Sequence, residues 1–408
     1  MTGFQNFAAL ASGPRDDSLR PPLGTFRALP LDLVSFGPGM VQRVGEDLDR
    51  LGGRRVFVVT NRSIASNPAL ISRIELILGD RLVARFSAVR PHVPASDVFA
   101  AVEAARQCRA DLLISFGGGS AIDCTKLVAF VLAGGAADAD GLIRLATSHG
   151  RPEIGDLLPH IAISTTLSAA EFSCAAGVTD EKRRIKGVLS TAGMMPRVAV
   201  LDPVLTLATP TDLWASTGIK ALDHAIERLC ALDHQPLIDV LCIEAARLLI
   251  ENLPASAENN EAALAARGHC QIGAWLSFYG WLNARTGLSH VLGHQIGARF
   301  GIPHGYTSCV TLPHVIRLVH AKTATRQLAL LAHTLGLDDS KEPASAIADI
   351  VAQLVRHFAL PSTLSALAVP EDELDALAGA AFEEMTASRR LVSGQTPDDV
   401  ARIVQAAW

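Results

Sequence analysis

The sequence has little charge, few aromatic residues and no long apolar run. Charged residues make up 19% of the 408 residues, aromatic residues make up 5%, and the net charge at pH 7 is −5. This balance gives no electrostatic reason to expect binding to nucleic acid or to an anionic membrane. Because no apolar run reaches the roughly 18 residues of a membrane span, we expect a small-molecule partner, with no nucleic acid and no membrane.

The cysteines lack any pattern typical of a disulfide framework or a zinc knuckle. There are seven, an odd number, and none are paired in a CxxC motif, which is typical of reduced, buried thiols. The N-terminal segment carries Arg15, Asp16 and Asp17 where a secretory signal would have a basic region and an apolar core. Together these absences predict a cytoplasmic protein.

The length and the hydrophobic pattern predict two domains after a flexible tail at residues 1–25. Residues 26–205 alternate short β-branched runs with amphipathic helical segments, which predicts a Rossmann-like α/β domain with a mainly parallel sheet. Residues 206–408 show helical periodicity rich in Ala and Leu, which predicts an all-α domain. The predicted strands are 56–59, 112–116, 161–163 and 198–201, and an Asp-Pro pair at 202–203 ends the last one.

A glycine-rich segment at 117–120 directly follows a predicted strand and precedes a helical pattern. Glycine lets the backbone approach a pyrophosphate, and the helix N-terminus supplies unpaired N–H groups. We therefore expect Gly118, Gly119 and Ser120 to form a phosphate cradle, the alternative being a plain strand-to-helix turn. A second GxG at 37–39 lacks a strong preceding strand and is expected to be a turn.

Hydroxyl groups follow the next predicted strand, at Thr165, Thr166 and Ser168. They can hydrogen-bond phosphate, ribose or the nicotinamide amide, although such a cluster alone is usually a cap or a turn. Lys186 lies further on, in a basic stretch at 182–186 that on its own would be interpreted as a solvated charge run. The hydroxyls extend the predicted cofactor site.

Two further segments concentrate polar side chains at helical spacing. His290 and His294 share a helix face, and His304 follows a glycine-containing turn. Packing histidines are the alternative, but their density in an apolar stretch favours chemistry. Another helix carries one polar stripe, which consists of Lys220, Asp223, His224 and Glu227. Such a stripe is most often a solvated face.

Together these motifs resemble the iron-containing (group III) alcohol dehydrogenase superfamily, from about residue 36 to the C-terminus. Its GGGSxxDxxK pattern resembles residues 117–126, with Asp123 and Lys126 in place, and its GxDAxxHAxE helix resembles residues 218–227. Its HxxxH and PHG motifs resemble residues 290–294 and 303–305. The HVP at 92–94, the GAWL at 273–276 and the short hydroxyl loop 165–171 resemble the maleylacetate reductase branch, whereas Asp123 and the His-Gly at 304–305 resemble the alcohol dehydrogenases.

The resemblance implies an NAD(P)-dependent oxidoreductase that moves a hydride between nicotinamide and a small carbonyl or alcohol, with a keto acid as a candidate, and a homodimer. The implied cofactor-binding residues are Asn61, Gly118, Gly119, Ser120, Asp123, Thr165, Thr166, Ser168 and Lys186. Resembling enzymes that prefer NAD often carry aspartate at the Asn61 position to bond the ribose hydroxyl. Asparagine does not repel a 2′-phosphate and Arg62 can attract one, so NAD(H) and NADP(H) both stay open.

The resemblance also implies a metal site, and the chain departs from it at one position. In metal-using members an aspartate and three histidines hold one divalent ion; the histidines correspond to His224, His290 and His304, and the aspartate to Lys220. An ammonium ~4 Å from a divalent ion repels it by ~8 kcal/mol at an effective dielectric of about 20.

Our hypothesis is that Lys220 replaces the metal and stabilises the developing oxyanion, with Asp223 keeping it charged. The alternatives are that Lys220 deprotonates or turns away, either of which would leave room for bound iron or zinc. The resemblance suggests His294 as the proton relay.

Two other functions stay open at this point. One is an NAD-binding lyase related to dehydroquinate synthase, and the other is a non-catalytic cofactor-binding homologue. The segments at 218–227 and 303–305 follow the dehydrogenase pattern, which speaks against the lyase. The chain keeps all four histidines of the family motifs, which speaks against a non-catalytic homologue. Trp275, Phe278 and Trp281 hint at a partly apolar pocket, although residues at this spacing are more often helix core.

Overall fold

A computed structural model describes residues 24–148, 154, 156–183, 185–258, 260–337, 342–391 and 395–408. The predicted tail at residues 1–25 lies, except for its last two residues, outside the described residues. Within the described part of the chain, no helix is both long enough and apolar enough to cross a membrane.

The N-terminal half is built on a parallel sheet, as predicted. The strands are β1 (Leu33–Phe36), β2 (Val56–Asn61), β3 (Leu82–Val89), β4 (Leu112–Gly117), β5 (His160–Ser164), β6 (Ala175–Asp180), β7 (Ile185–Ser190) and β8 (Val198–Leu201). Six of them form one sheet in the order β1-β8-β5-β4-β2-β3, in which every pairing is parallel. The four predicted strands are confirmed as β2, β4, β5 and β8.

Helices cover both faces of this sheet. They are α1 (Val44–Leu51), α2 (Pro68–Leu78), α3 (Ala95–Gln107), α4 (Gly119–Leu132) and α5 (Ala139–Thr147). Alternate residues of β2 point to opposite faces: Val56 and Val58 join a core with α1 and α2, whereas Phe57 and Val59 join a core with α3, α4 and α5. Burial on both faces explains why these strands are continuous apolar runs.

The C-terminal half is helical, which confirms the predicted fold class. Its helices are α6 (Thr211–Leu229), α7 (Pro236–Ser256), α8 (Glu261–Phe278), α9 (Leu288–Phe300), α10 (His304–Val315), α11 (Thr325–Thr334), α12 (Pro343–His357), α13 (Leu374–Ala387) and α14 (Pro397–Ala406). A π-helical segment, Ile316–His320, continues α10. Short helical turns lie at Met40–Arg43, Arg62–Ala65, Gly79–Arg81, Ala170–Phe172, Ala192–Met194, Pro203–Thr206, Ala321–Thr323, Ser365–Leu367 and Glu371–Glu373.

The two-stranded antiparallel hairpin of β6 and β7 was, like β1 and β3, not among the predicted strands. Its register places Thr179 opposite Lys186. Residues 181–183 at its turn are exposed, but Lys186 on β7 is partly buried. The interpretation of 182–186 as a solvated charge run is therefore wrong for Lys186.

Candidate active site

The glycine segment meets two neighbouring strand ends at the carboxyl edge of the sheet. A Cβ added at Gly117 would lie 2.4 Å from Asn61 Oδ1, one at Gly118 would lie 2.9 Å from Thr166 Cγ2, and one at Gly119 would lie 3.1 Å from Ser168 Oγ. Gly117 also has a φ of 153°, which side chains rarely adopt. The ends of β2, β4 and β5 thus lie close together at the edge where a sheet of this kind binds its ligands. We call residues 117–120, with Asn61, Thr166 and Ser168, the cradle.

Unpaired hydroxyls line this cradle. The Oγ1 atom of Thr166 and the Oγ atom of Ser168 are buried and have no hydrogen-bond partner among the described residues. The neighbouring Thr165 is held through its backbone N–H, which donates to the carbonyl of Gly117 at 3.0 Å. Because buried polar atoms are normally paired, this cradle fits a ligand rich in hydrogen-bonding groups.

The first turns of α4 connect the cradle to the hairpin. Ser120 is partly exposed on the first turn, and the carboxylate of Asp123 accepts the backbone N–H of Gly177 on β6 at 3.0 Å. Lys126 is fully buried and donates at 2.7 Å to the carbonyls of Ala170 and Ala175. Lys126 therefore ties the hydroxyl loop to the hairpin.

Lys186 joins the cofactor side of the site to the histidine side. Its Nζ atom lies 2.8 Å from Nε2 of His304. Burial lowers the pKa of Lys186, with the Asp123 carboxylate opposing and the Lys220 ammonium adding to that shift. Lys186, which the sequence analysis assigned to the cofactor site, thus lies within hydrogen-bond distance of His304, a predicted metal ligand.

The polar stripe of α6 is buried, so the solvated-face alternative is wrong. The exposed fractions are 6% for Lys220, 0% for Asp223, 4% for His224 and 0% for Glu227. Burial raises the pKa of Asp223, and the positive charge of Lys220 opposes that shift. The Nζ atom of Lys220 lies 2.6 Å from Oδ2 of Asp223 and 2.9 Å from Nδ1 of His290.

Four histidine rings stand in a row beside this ion pair. The ring centroids are 5.4 Å apart for His224 and His290, 4.5 Å for His290 and His294, and 5.7 Å for His294 and His304. Burial lowers the pKa of every ring in the row, with a further contribution from Lys220 at His224 and His290 and from Lys186 at His304. The rings are therefore mainly neutral near pH 7.

Two carboxylates hold α9, the helix that carries His290 and His294. Glu227 of α6 accepts backbone N–H groups of Gly287 at 2.8 Å, Ser289 at 2.9 Å and His290 at 3.0 Å. Burial favours the neutral acid, but contacts with His320 and these N–H groups prevail and lower the pKa of Glu227. Its place in the polar stripe was visible in the sequence, but its function as a helix clamp was not.

The second carboxylate, Glu384 of α13, was missed altogether. Its Oε1 atom lies 3.1 Å from Nδ1 of His294, across 90 residues of sequence. No local motif surrounds it, so only knowledge of how α13 packs on α9 could have found it.

Aromatic residues of α8 and of the turn after it lie along one side of the histidine row. Phe278 stacks on His224 at 4.3 Å between centroids, and Trp281 stacks on Phe278 at 6.1 Å. Trp275 instead packs against Phe36 and Phe172 of the N-terminal half. The predicted apolar wall is thus present at Phe278 and Trp281, and Trp275 joins the two halves.

The donor set does not fit a divalent ion. Two of the three histidines that the metal would need, His290 and His304, have a ring nitrogen within hydrogen-bond distance of an ammonium, that of Lys220 or Lys186. Among the described residues, no group of three or more His, Cys, Asp or Glu side chains is arranged to hold a metal. Each ammonium repels a divalent ion at ~4 Å by ~8 kcal/mol at an effective dielectric of about 20.

The fold and the cradle define a nucleotide-binding α/β protein with a helical second half. Residues 32–203 match the family described as iron-containing alcohol dehydrogenase, and residues 214–408 match its C-terminal region. The chain is 31% identical to the NAD-dependent methanol dehydrogenase of Bacillus methanolicus, covering 91% of this chain and 97% of that one. It therefore belongs to the iron-containing alcohol dehydrogenase family, a family of oxidoreductases.

Other relatives include members of the reductase branch. The chain is 29% identical to the maleylacetate reductase of Sphingobium indicum, covering 83% of this chain and 85% of that one. The crystal structure of a 1,3-propanediol oxidoreductase superposes with a TM-score of 0.85 at 26% identity over 94% of this chain and 100% of that one. That of maleylacetate reductase from Agrobacterium tumefaciens superposes with a TM-score of 0.77 at 28% identity, covering 95% and 99%. These matches do not favour a lyase related to dehydroquinate synthase.

Proposed function

We propose that this protein transfers a hydride between a nicotinamide cofactor, NAD(H) or NADP(H), and a small carbonyl or alcohol without a catalytic metal. The observation that carries the proposal is the 2.8 Å contact between Lys186 Nζ and His304 Nε2, because it joins the cradle side to the histidine row. We further propose that residues 26–205 form the cofactor domain and residues 206–408 the domain that supplies the catalytic side chains.

The cofactor would be held by the cradle. Gly118, Gly119 and Ser120 lie where the N-terminus of α4 can receive a pyrophosphate, and the free hydroxyls of Thr166 and Ser168 can bond the rest of the ligand. When bound, the nicotinamide supplies or accepts the hydride. Asn61 carries no negative charge against a 2′-phosphate, so the proposal covers both cofactors.

Lys220 would stabilise the substrate oxygen. Its ammonium is buried against Asp223, and a fixed positive charge in a buried position stabilises a developing alkoxide strongly. It would thereby perform the electrostatic function that a divalent ion performs elsewhere in such sites. His294 would exchange the proton of the substrate hydroxyl.

A keto acid is the substrate class that we propose. Two ammonium groups, those of Lys186 and Lys220, flank the histidine row, and their charges favour an anionic substrate. The relative in Sphingobium indicum is named a maleylacetate reductase. Homodimer assembly and a cytoplasmic location stay predictions from the sequence.

The test is cofactor-dependent absorbance at 340 nm with NADH and NADPH against matched aldehydes and keto acids. We expect turnover, with keto acids giving a higher kcat/KM than aldehydes of equal length. Cofactor binding without turnover of any carbonyl or alcohol would overturn the proposal in favour of a non-catalytic homologue. Equal kcat/KM for charged and neutral substrates would overturn only the keto acid assignment.

A further inference from the structure

Glu384 is held from two sides by consecutive residues of α9. Its Oε1 atom lies 3.1 Å from Nδ1 of His294, and its Oε2 atom accepts a hydrogen bond from Nε2 of Gln295 at 2.8 Å. Both carboxylate oxygens are thus engaged, which fixes the plane of the group. A carboxylate fixed in this way in turn fixes the ring that it contacts.

The two helices that meet at this contact are packed firmly. Leu288, Val291 and Leu292 of α9 share an apolar core with Leu377 and Ala381 of α13. The side chains of His294 and Glu384 are 32% and 30% exposed, so the pair lies at the border between the histidine row and solvent. The contact therefore combines a fixed geometry with access to water for proton exchange.

His294 differs from the other rings in its partner. The rings of His290 and His304 face the ammonium groups of Lys220 and Lys186, which donate protons and cannot accept them. Within the described chain, His294 is the member of the row with a carboxylate at a ring nitrogen. Among the histidines of the row, His294 is therefore the best placed to accept a proton from the substrate.

We propose that Glu384 is a positioning residue that keeps the Nδ1–H tautomer of His294, so that Nε2, on the opposite edge of the ring, is the base that faces substrate. This inference rests on the proposed function. In alcohol oxidation the substrate O–H bond breaks and its proton moves to Nε2, which leaves an alkoxide beside Lys220. That alkoxide becomes the carbonyl as the hydride of its C–H bond passes to the oxidised nicotinamide of the proposed function. The Glu384 carboxylate stabilises the resulting imidazolium, and the proton returns by the same path in reduction.

The substitution Glu384→Met tests this assignment because it removes both acceptor oxygens while keeping an unbranched side chain of similar length. Nδ1–H of His294 then has no acceptor, and the Nδ1–H tautomer is no longer favoured. We expect kcat for alcohol oxidation to fall about 10²-fold, with the KM for substrate and the cofactor Kd unchanged. The matched control is Glu383→Met, at the exposed neighbouring position of α13, which should keep the kcat of the unsubstituted protein.

A second measurement does not depend on turnover. Nitrogen-15 NMR of histidine-labelled protein, with His294 assigned through His294→Gln, should report Nδ1–H for His294 in the unsubstituted protein and Nε2–H in Glu384→Met. An unchanged kcat in Glu384→Met, or an Nε2–H tautomer in the unsubstituted protein, would overturn the assignment. If the unsubstituted protein turns over no carbonyl or alcohol, the proposed function fails, and the tautomer still decides whether Glu384 orients the ring.

Discussion

The Nζ atom of Lys220 and the Oδ2 atom of Asp223 are 2.6 Å apart, one helical turn from each other on α6. The same carboxylate oxygen accepts a hydrogen bond from Ser308 of α10 at 2.8 Å. The ion pair therefore places a positive charge at the position of the expected aspartate ligand and a negative charge one turn further on. Because an ammonium stands at the position of the expected aspartate ligand, these residues do not fit a divalent ion.

Metal removal should leave the enzyme active. The ammonium of Lys220 already supplies positive charge beside the histidine row, so chelator-treated protein should keep its full kcat. The check is metal content by mass spectrometry, alongside turnover before and after chelation. Activity that returns only on addition of Fe²⁺ or Zn²⁺ would show that the metal-free mechanism is wrong.

A triple substitution should create the missing metal site. Lys220→Asp together with Asp223→Ser and Lys186→Met removes both ammonium groups and adds a carboxylate beside the predicted histidine ligands, a donor set suited to Zn²⁺ or Fe²⁺. We expect about one zinc per chain after reconstitution and dialysis, against a negligible amount in the unsubstituted protein. The control, Lys220→Met with Asp223→Ser and Lys186→Met, removes the same charges without adding a ligand; equal zinc content in both variants would contradict the prediction.

Crowding of the cradle should weaken cofactor binding. Gly118 has a φ of −85° and a ψ of −170°, which alanine adopts without strain, but its added methyl group would lie 2.9 Å from Thr166 Cγ2. We expect Gly118→Ala to raise the cofactor Kd about tenfold or more, measured by fluorescence titration, because the Thr166 hydroxyl must move. The control is Gly379→Ala on α13, where no atom of the described residues lies within 4 Å of the added carbon; equal Kd values would refute the cradle.

Glu171, the last residue of the hydroxyl loop, should make stability depend on pH. Burial raises its pKa from 4.5 to about 7, so between these values the folded protein binds more protons than the unfolded chain. The free energy of unfolding should therefore fall as pH rises through this window, by about 3 kcal/mol in total. Urea unfolding of Glu171→Gln and of the unsubstituted protein should diverge from about pH 5 to pH 8, and parallel curves would exclude this contribution.

The Glu227 clamp should be important for stability. Glu227→Gln replaces a carboxylate that accepts three backbone N–H groups by an amide whose NH2 faces donors. We expect the free energy of unfolding to fall by about 3 kcal/mol. Glu383→Gln should change it by less than about 0.5 kcal/mol, and a similar loss in both variants would argue against the clamp.

Much of the fold was predictable because its signals are local. The buried strands β2, β4, β5 and β8 are continuous apolar runs, and the glycines after β4 mark where the backbone must come close to other strand ends. Histidines at 290 and 294 share a face of α9 because helical periodicity requires it. These features depend on neighbours in sequence.

The rest depends on tertiary contacts. Lys186 looked like part of a surface charge run because the β6–β7 hairpin has no strong alternating pattern, and only its packing brings Lys186 to His304. The polar stripe on α6 has the same residue types as a solvated helix face. Its burial among α8, α9 and α10, which the sequence does not show, gives it a different function. Glu384 contacts His294 across 90 residues, a distance over which no sequence motif carries information.

The hydrogen bonds from α9 to Glu227 involve no metal ion, so they can keep this site ordered whether or not an ion is available. In many metalloproteins the ion itself fastens the ligand-bearing segments together, so the empty protein loosens and folding follows metal availability. Here a carboxylate of α6 binds the start of α9 through three backbone amides, and the histidines of both helices keep their spacing. We therefore expect α9 to stay fastened to α6 in protein made by cells that grow without iron.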